Sequence, residues 1–311
     1  MQMEPVRIAS EEVRSNYIKT IVLLAMMFAG IVGLSWLLGF LLGNQELGLL
    51  IGFGASAIVI PLELLFAKFA VLHLTGCVPA DPNILQQRKI IHMVEGLAVS
   101  AGLPKTPEVY IMNTRVPNAF AAGWGPESAV VAVTQGLADM MDDQELEGVI
   151  AHEVGHIIHR DIMLNQLVVG LISVLLILAL IIERIGILGA FSGNNRRSSR
   201  DRDSGGGAAA LLLLIALVIR PLVMLVGTLL QLGISRKREY AADAVAVRLC
   251  SYNEGLARAL EKLDGGEYDS DDIQELGGEN MACMYINFPG SELFSTHPPI
   301  RERVRRLRNM Y

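Results

Sequence analysis

The stretch HEVGH at 152–156 places two imidazoles four positions apart, with a carboxylate directly after the first. On a helix, positions i and i+4 share a face, so His152 and His156 can both reach one metal ion. Glu153 lies beside them, placed to take a proton from a water that the metal polarises. That is the chemistry of metal-assisted hydrolysis. Two histidines satisfied inside an ordinary buried helix would give the same five letters, so the motif's weight depends on what completes it.

A hydrolytic zinc site keeps three protein donors and one open position. His159 lies on nearly the same helix face, but seven residues from His152 is about 10 Å along the axis. Bonds of about 2 Å to a shared ion cannot bridge that gap, and no glycine follows His156 to break the helix. His159 is therefore expected beside the site or at the helix end. A carboxylate from a later helix is the better candidate. Glu239 in REYAAD (238–243) fits, with Asp243 four residues on and on the same face, where it could hydrogen-bond a ligating imidazole. Read alone, ExxxD on a helix is a common surface pattern.

The elements that must position these residues alternate between lipid-like and water-like composition. Residues 21–43 are 23 uncharged residues, long enough to span a bilayer and too long for a signal-peptide core, so they read as an uncleaved anchor. A second apolar run covers 47–67 after an NQE turn, with Glu63 near its end and Lys68 just beyond. A transmembrane hairpin is thus expected over 17–74, after an N-terminal cytoplasmic segment, 1–16. Residues 75–160 read as a mixed region. VYIM (109–112), AFAA (119–122) and AVVAV (129–133) are strand candidates separated by PN and GWGP turns. Asp142 with Glu145 resembles a capping box, and Leu146, Val149, Ile150 and Ile157 recur at helical spacing, which puts HEVGH inside a helix.

A third apolar run, 162–182, predicts a membrane helix over 161–183. The low-complexity stretch SGNNRRSSRDRDSGGG (192–207) predicts a mobile loop over 184–207. A fourth run, 208–233, is interrupted by Arg220-Pro221. A mid-bilayer Arg costs about 2.5–3.5 kcal/mol and Pro kinks a helix. The segment is either a kinked span with Arg220 facing a cavity, or a helix buried in protein. Residues 234–311 are helical and charged. Their acidic stretch, 264–279, reads as a solvated loop, since Tyr268 and Asp269 break the calcium-loop pattern. Their basic end, RERVRRLR (301–308), is an amphipathic helix with Val304 and Leu307 on one face.

Composition agrees with membrane residence. Hydrophobic residues make up 52%, mean hydropathy is +0.42, and the apolar residues are bunched. A net charge of −6 argues against a nucleic-acid partner, which would want a basic surface. Cys77, Cys250 and Cys283 are odd in number and form no CxxC, which argues against a disulfide framework or a thiolate zinc site and fits a reducing cytosolic setting.

Four motifs, in order, carry a resemblance: NAFAAG (118–123), HEVGH (152–156), SRKREYAAD (235–243) and STHPPIRERV (295–304). Set among four apolar segments, they resemble the HtpX-type membrane metalloproteases, a family related to the CAAX prenyl proteases, over nearly the whole chain. The resemblance implies a mainly α integral membrane protein. It would have about four transmembrane helices and a gluzincin-like α+β protease domain with a small sheet, split between 75–160 and 234–311. It implies one zinc per chain, held by His152, His156 and Glu239, with Glu153 as general base and Asp243 supporting a ligand. It implies that Asn118, Ala119 and Phe120 lie on an edge strand where substrate adds as a further strand. His297, with Arg303 six residues on, resembles the family's HPPxxxR pair, and a His there could donate to a developing oxyanion. The implied partners are membrane lipid and misfolded or damaged membrane proteins, in a stress or quality-control setting, with no nucleic acid.

If His156 and Glu239 share one zinc, the chain between them crosses the membrane an even number of times. Two full spans satisfy this, and so do two segments that never cross. Lys and Arg in 75–160 and after 234 favour a multi-pass protein of the plasma (inner) membrane with its site facing the cytoplasm. Arg184, Arg196, Arg197, Arg200 and Arg202 in the intervening loop cut against two full spans. Processing of a prenylated peptide, a scaffold with a structural zinc and a transporter are the rival readings. The intact Glu153 argues against the scaffold, and the lack of obvious inverted repeats argues against the transporter.

Overall fold

The structure, a computed structural model, describes residues 4–192, scattered positions between 214 and 225, and residues 236–264 and 298–310. The chain forms two compact units: residues 1–20, 66–166 and 231–311 make one, and 21–65 with 167–230 make the other. Arg220, the acidic stretch beyond Asp264, Cys283 and His297 lie outside the described residues.

Two long helices open the chain, α1 (Glu4–Leu41) and α2 (Gln45–Leu74). With α6 (Asp161–Ser192) they supply the three helices, among the described residues, that are long and apolar enough to cross a membrane. In their unit the hairpin closes on small residues. A Cβ on Gly39 would stand 2.7 Å from Gly48 Cα, and one on Gly52 would stand 2.9 Å from Val32 Cα. Backbones approach this closely in lipid because dispersion replaces the hydrophobic drive. Gly170 on α6 likewise leaves the space filled by the Glu63 carboxylate of α2. Ile21, Leu50, Phe53 and Ile58 point outward and are exposed, as lipid-facing side chains are.

The other unit is built on a four-stranded sheet. Its strands are β1 (Cys77–Pro79), β2 (Glu108–Met112), β3 (Ala119–Ala122) and β4 (Val130–Thr134), in the order β1-β2-β4-β3. β2 and β4 are parallel with Glu108 opposite Val130, and the other two pairings are antiparallel. The three strands expected from β-branched runs and turns are present; β1, only three residues long, carried no such signal. Among the described residues β3 is an edge strand, paired only with β4, with Ala119 opposite Val133.

Helices α3 (Leu85–Ala101), α4 (Gln135–Met140) and α5 (Asp143–His159) pack on this sheet. α5 starts on the capping box. The Asp142 side chain accepts from the Gln144 and Glu145 amides, and the Glu145 carboxylate accepts from the Asp142 amide at 2.9 Å. It ends at Arg160, whose φ of 59° is left-handed, and α6 begins at the next residue. α6 then continues past Glu183 and Arg184 to Ser192, beyond the limit set by charge alone.

Among the described residues, three C-terminal helices complete the unit: α7 (Arg236–Cys250), α8 (Glu254–Leu263) and α9 (Ile300–Arg308). The apolar face of the basic helix α9 is committed to this core, where Val304 and Leu307 are buried. Full burial of a leucine is worth about 2 kcal/mol. Arg308 pins the helix end to α8 through Glu254 and Glu261. Burial of this face also carries Arg303, a neighbour of Val304, into the interior.

Candidate metal centre

His152 and His156 lie in the last two turns of α5, and α7 brings Glu239 against them. The contact that permits this is Gly155, where a Cβ would stand 3.0 Å from Ala242 Cα. The two Nε2 atoms are 3.2 Å apart. Glu239 Oε2 is 3.6 Å from His152 Nε2, and Oε1 is 3.6 Å from His156 Nε2. Donors held about 2.1 Å from a tetrahedral zinc lie about 3.4 Å from one another. Each imidazole therefore has the other ring and one Glu239 oxygen near this spacing, one ligand atom from each residue lies within 4.8 Å of the others, and all three residues are buried. The set of two imidazoles and one carboxylate could hold a divalent metal.

Both histidines are oriented from behind by a carboxylate. Asp243 Oδ1 is 2.9 Å from His152 Nδ1, and Asp161 Oδ2 is 3.1 Å from His156 Nδ1. A bond at Nδ1 fixes the ring and turns Nε2 toward the metal position. Asp243 also accepts a forked pair from Arg303, at 2.7 Å from Nη2 and 3.0 Å from Nε. Burial pushes the Asp243 carboxyl up, but Arg303 and the His152 ring outweigh it and hold it at about 2. Burial also opposes the charge on Arg303, yet Asp243, Glu239 and Glu153 keep the guanidinium above its ordinary value. Its Nη1 stands 3.7 Å from Glu239 Oε2, so one arginine braces two of the acidic groups.

Glu153 is buried on the side of α5 that faces β3. Burial, with the nearby Glu239 charge, pushes its carboxyl up to about 8, against the pull of His156, the Ala121 amide and Arg303. A carboxyl group next to the metal-facing imidazoles is placed for general base and general acid work.

The edge strand has a parity that the sequence did not show. Asn118 faces β4: its carbonyl accepts from the Thr134 amide at 3.0 Å and its amide donates to Thr134 Oγ1 at 2.8 Å. Antiparallel pairs alternate, so the main chain of Phe120 also faces β4, and its side chain is buried. Ala119, Ala121 and Gly123 face outward. The Ala119 amide donates to Asn118 Oδ1 at 3.0 Å, the Ala121 amide to the Glu153 carboxylate, and the Gly123 amide to Gln166 Oε1 at 3.0 Å.

The structure thus brings His152, Glu153, His156, Glu239, Asp243 and Arg303 into one cluster, with Ala119 and Phe120 on the adjoining strand β3 and Asn118 just before it. Sequence reasoning passed over Asp161, Ala121 and Gln166. Asp161 carries the only local signal, an acid five residues after His156 at the start of the next helix.

This chain is similar to known proteases over most of its length. The profile of Peptidase family M48 matches residues 84–311. A protein named Protease HtpX homolog from Dictyoglomus turgidum (strain DSM 6724 / Z-1310) is 40% identical over 237 residues, 74% of this chain and 72% of its own. Its namesake from Listeria monocytogenes serotype 4a (strain HCC23) is 34% identical over 309 residues, 96% of this chain and 99% of its own. The crystal structure of S. mikatae Ste24p superposes with a TM-score of 0.43 at 19% identity, covering 96% of this chain and 67% of that one. Family profile and full-length relatives together place this chain in peptidase family M48, as a membrane metalloprotease.

Proposed function

We propose that this chain is a zinc-dependent endopeptidase that cleaves misfolded or damaged membrane proteins at the cytoplasmic face of the plasma membrane. The observation that carries the reading is the buried convergence of His152, His156 and Glu239, with ligand atoms within 4.8 Å of one another, directly beside Glu153 and β3. The donor set fits zinc: two imidazoles and a carboxylate, with both rings backed by carboxylates. Bound there, zinc supplies Lewis acidity toward a water and toward the scissile carbonyl.

The chain's own residues do the rest. Glu153 takes the proton from the attacking water and returns it to the leaving amine. Asp243 and Asp161 hold the imidazoles in the ligating orientation, and Arg303 keeps Asp243 ionised. An extended substrate segment adds to the outer edge of β3, where main-chain pairing tolerates many sequences. Ala119 is the residue whose main chain meets it first. His297, outside the described residues, is the proposed donor to the oxyanion. The Lys and Arg carried by 75–160 and by the chain after 234 support a cytoplasmic site. The names of the relatives support proteolysis. A strand-adding site on a chain with membrane helices supports damaged membrane proteins as substrates.

The test compares purified wild type with Glu153→Gln, measuring zinc content and cleavage of an unfolded model protein in detergent. One zinc in each, with cleavage by wild type only, is the expected result. Wild type without zinc would sink the reading. Zinc without cleavage in wild type would favour a narrow-substrate enzyme or a scaffold.

A further inference from the structure

We infer that Asn16, on the first membrane helix, is a positioning residue of the metal centre, holding Asp161 against His156. Asn16 is buried, and its Nδ2 donates to Asp161 Oδ1 at 2.6 Å and to the His159 carbonyl at 3.2 Å. The two acceptors flank Arg160, the single left-handed residue between α5 and α6. One amide nitrogen with two hydrogens therefore clamps the break between the histidine helix and the membrane helix. It also occupies one of the last α5 carbonyls, which have no partner within the helix.

Asp161 is the hub. Its Oδ2 faces His156 Nδ1 at 3.1 Å, and its Oδ1 takes Asn16 with Arg238 Nη1 at 3.6 Å. Arg238 precedes Glu239 and is itself held by Asn165 Oδ1 at 3.0 Å. A carboxylate buried this fully swings toward whichever donor remains when one is removed, because an unpaired buried charge is costly. Without Asn16, the remaining donors are the His156 ring and Arg238, and the orientation of His156 is no longer set by a fixed acceptor. The N-terminal helix is thus a working part of the metal site as well as an anchor. An aspartate at 16 would put a second carboxylate against Asp161 and should disturb the ring more than alanine does.

The inference rests on the zinc reading above, and the experiment separates the two. Full-length wild type, Asn16→Ala, Asn16→Asp and Tyr17→Phe are purified in detergent, loaded with zinc and challenged with a chelator. Tyr17 makes a neighbouring contact, to Arg160 at 3.4 Å, without touching Asp161. Loss of a partner behind a ligand costs 10–100-fold in metal affinity. Asn16→Ala is expected to lose zinc about tenfold faster, the low end of that range, Asn16→Asp faster still, and Tyr17→Phe at the wild-type rate. The rise in melting temperature on zinc binding should shrink in Asn16→Ala and Asn16→Asp. A merely structural residue would lower the loaded and metal-free melting temperatures equally. The visible spectrum of the cobalt-substituted protein should also shift. If Asn16→Ala does not fold, Asn16→Ser, which keeps a single donor, carries the test with an intermediate rate. Wild-type zinc retention and an unchanged cobalt spectrum in these variants would overturn the inference. A wild type that binds no zinc would instead overturn the reading it rests on.

Discussion

Gly155 and Ala242 form the contact at which α5 and α7 meet, and a Cβ on Gly155 would stand 3.0 Å from Ala242 Cα and 3.2 Å from its carbonyl oxygen. Gly155→Ala adds about 1 kcal/mol of helix propensity but forces α7 outward by a few tenths of an ångström. Melting temperature should change little, while zinc affinity falls, because Glu239 moves with α7. Gly155→Val has no such margin, and overpacking costs about 1–3 kcal/mol. Zinc titration against a competing chelator checks both. Wild-type affinity in Gly155→Val would show that this contact does not place Glu239.

The parity of β3 gives a prediction that tells adjacent residues apart. The Ala119 amide faces away from β4, so proline there spares the ladder and removes only an outward donor. Ala119→Pro should fold, keep its zinc and raise the KM for an unfolded substrate about three- to tenfold, the worth of one hydrogen bond. Phe120→Pro removes an amide turned toward β4 and should fail to accumulate as folded protein. Equal behaviour of the two variants would show that substrate does not add at this edge.

Arg303 is fully buried in a forked pair with Asp243. Removing one partner of such a pair leaves an uncompensated charge and costs about 3–5 kcal/mol. Arg303→Met should therefore lower the melting temperature of the metal-free protein sharply. Arg303→Lys, which cannot make the fork, should fall between. A melting temperature within a degree of wild type in Arg303→Met would show that Asp243 is satisfied without it.

Acid should weaken α5 at its first turn. The Glu145 amide, bonded to the Asp142 side chain, holds that carboxyl below its ordinary value, with Arg258 adding to the effect. A depressed carboxylate contributes its stability above the unfolded value, about 3.9, and loses it as pH falls through the lower folded value. Asp142→Ala should cost about 1 kcal/mol at neutral pH. Its deficit against wild type should narrow below about pH 4. Melting curves at pH 7 and pH 3 would decide this, and a deficit independent of pH would contradict the capping role.

Much of the fold could be read from local chemistry. Asp142 and Glu145 announced the start of α5, the β-branched runs announced three strands, and HEVGH announced two donors on one face. Glu239 and Asp243 could be named only as one helical pair among many until their wider context was weighed. What stayed hidden depends on contacts between distant residues. Asn16 meets Asp161 across 145 positions and Arg303 meets Asp243 across 60, and no periodicity within either segment records the other. Gly155 reads as an indifferent filler in HExxH until Ala242 is seen against it. The basic run of α9 showed an apolar face at Val304 and Leu307 but not the burial of Arg303, because a buried arginine and an exposed one have the same letter.

The three metal-facing donors are not made together. His152 and His156 leave the ribosome with α5, and Glu239 follows 83 residues later, after both intervening apolar runs. At about 5–20 residues per second, that is an interval of roughly 4–17 s. During it the nascent chain offers two imidazoles and no third donor, so a complete site cannot close on a metal before the second apolar run has been synthesised. Order along the chain thus acts as a safety interlock: the protease stays disarmed through its own insertion.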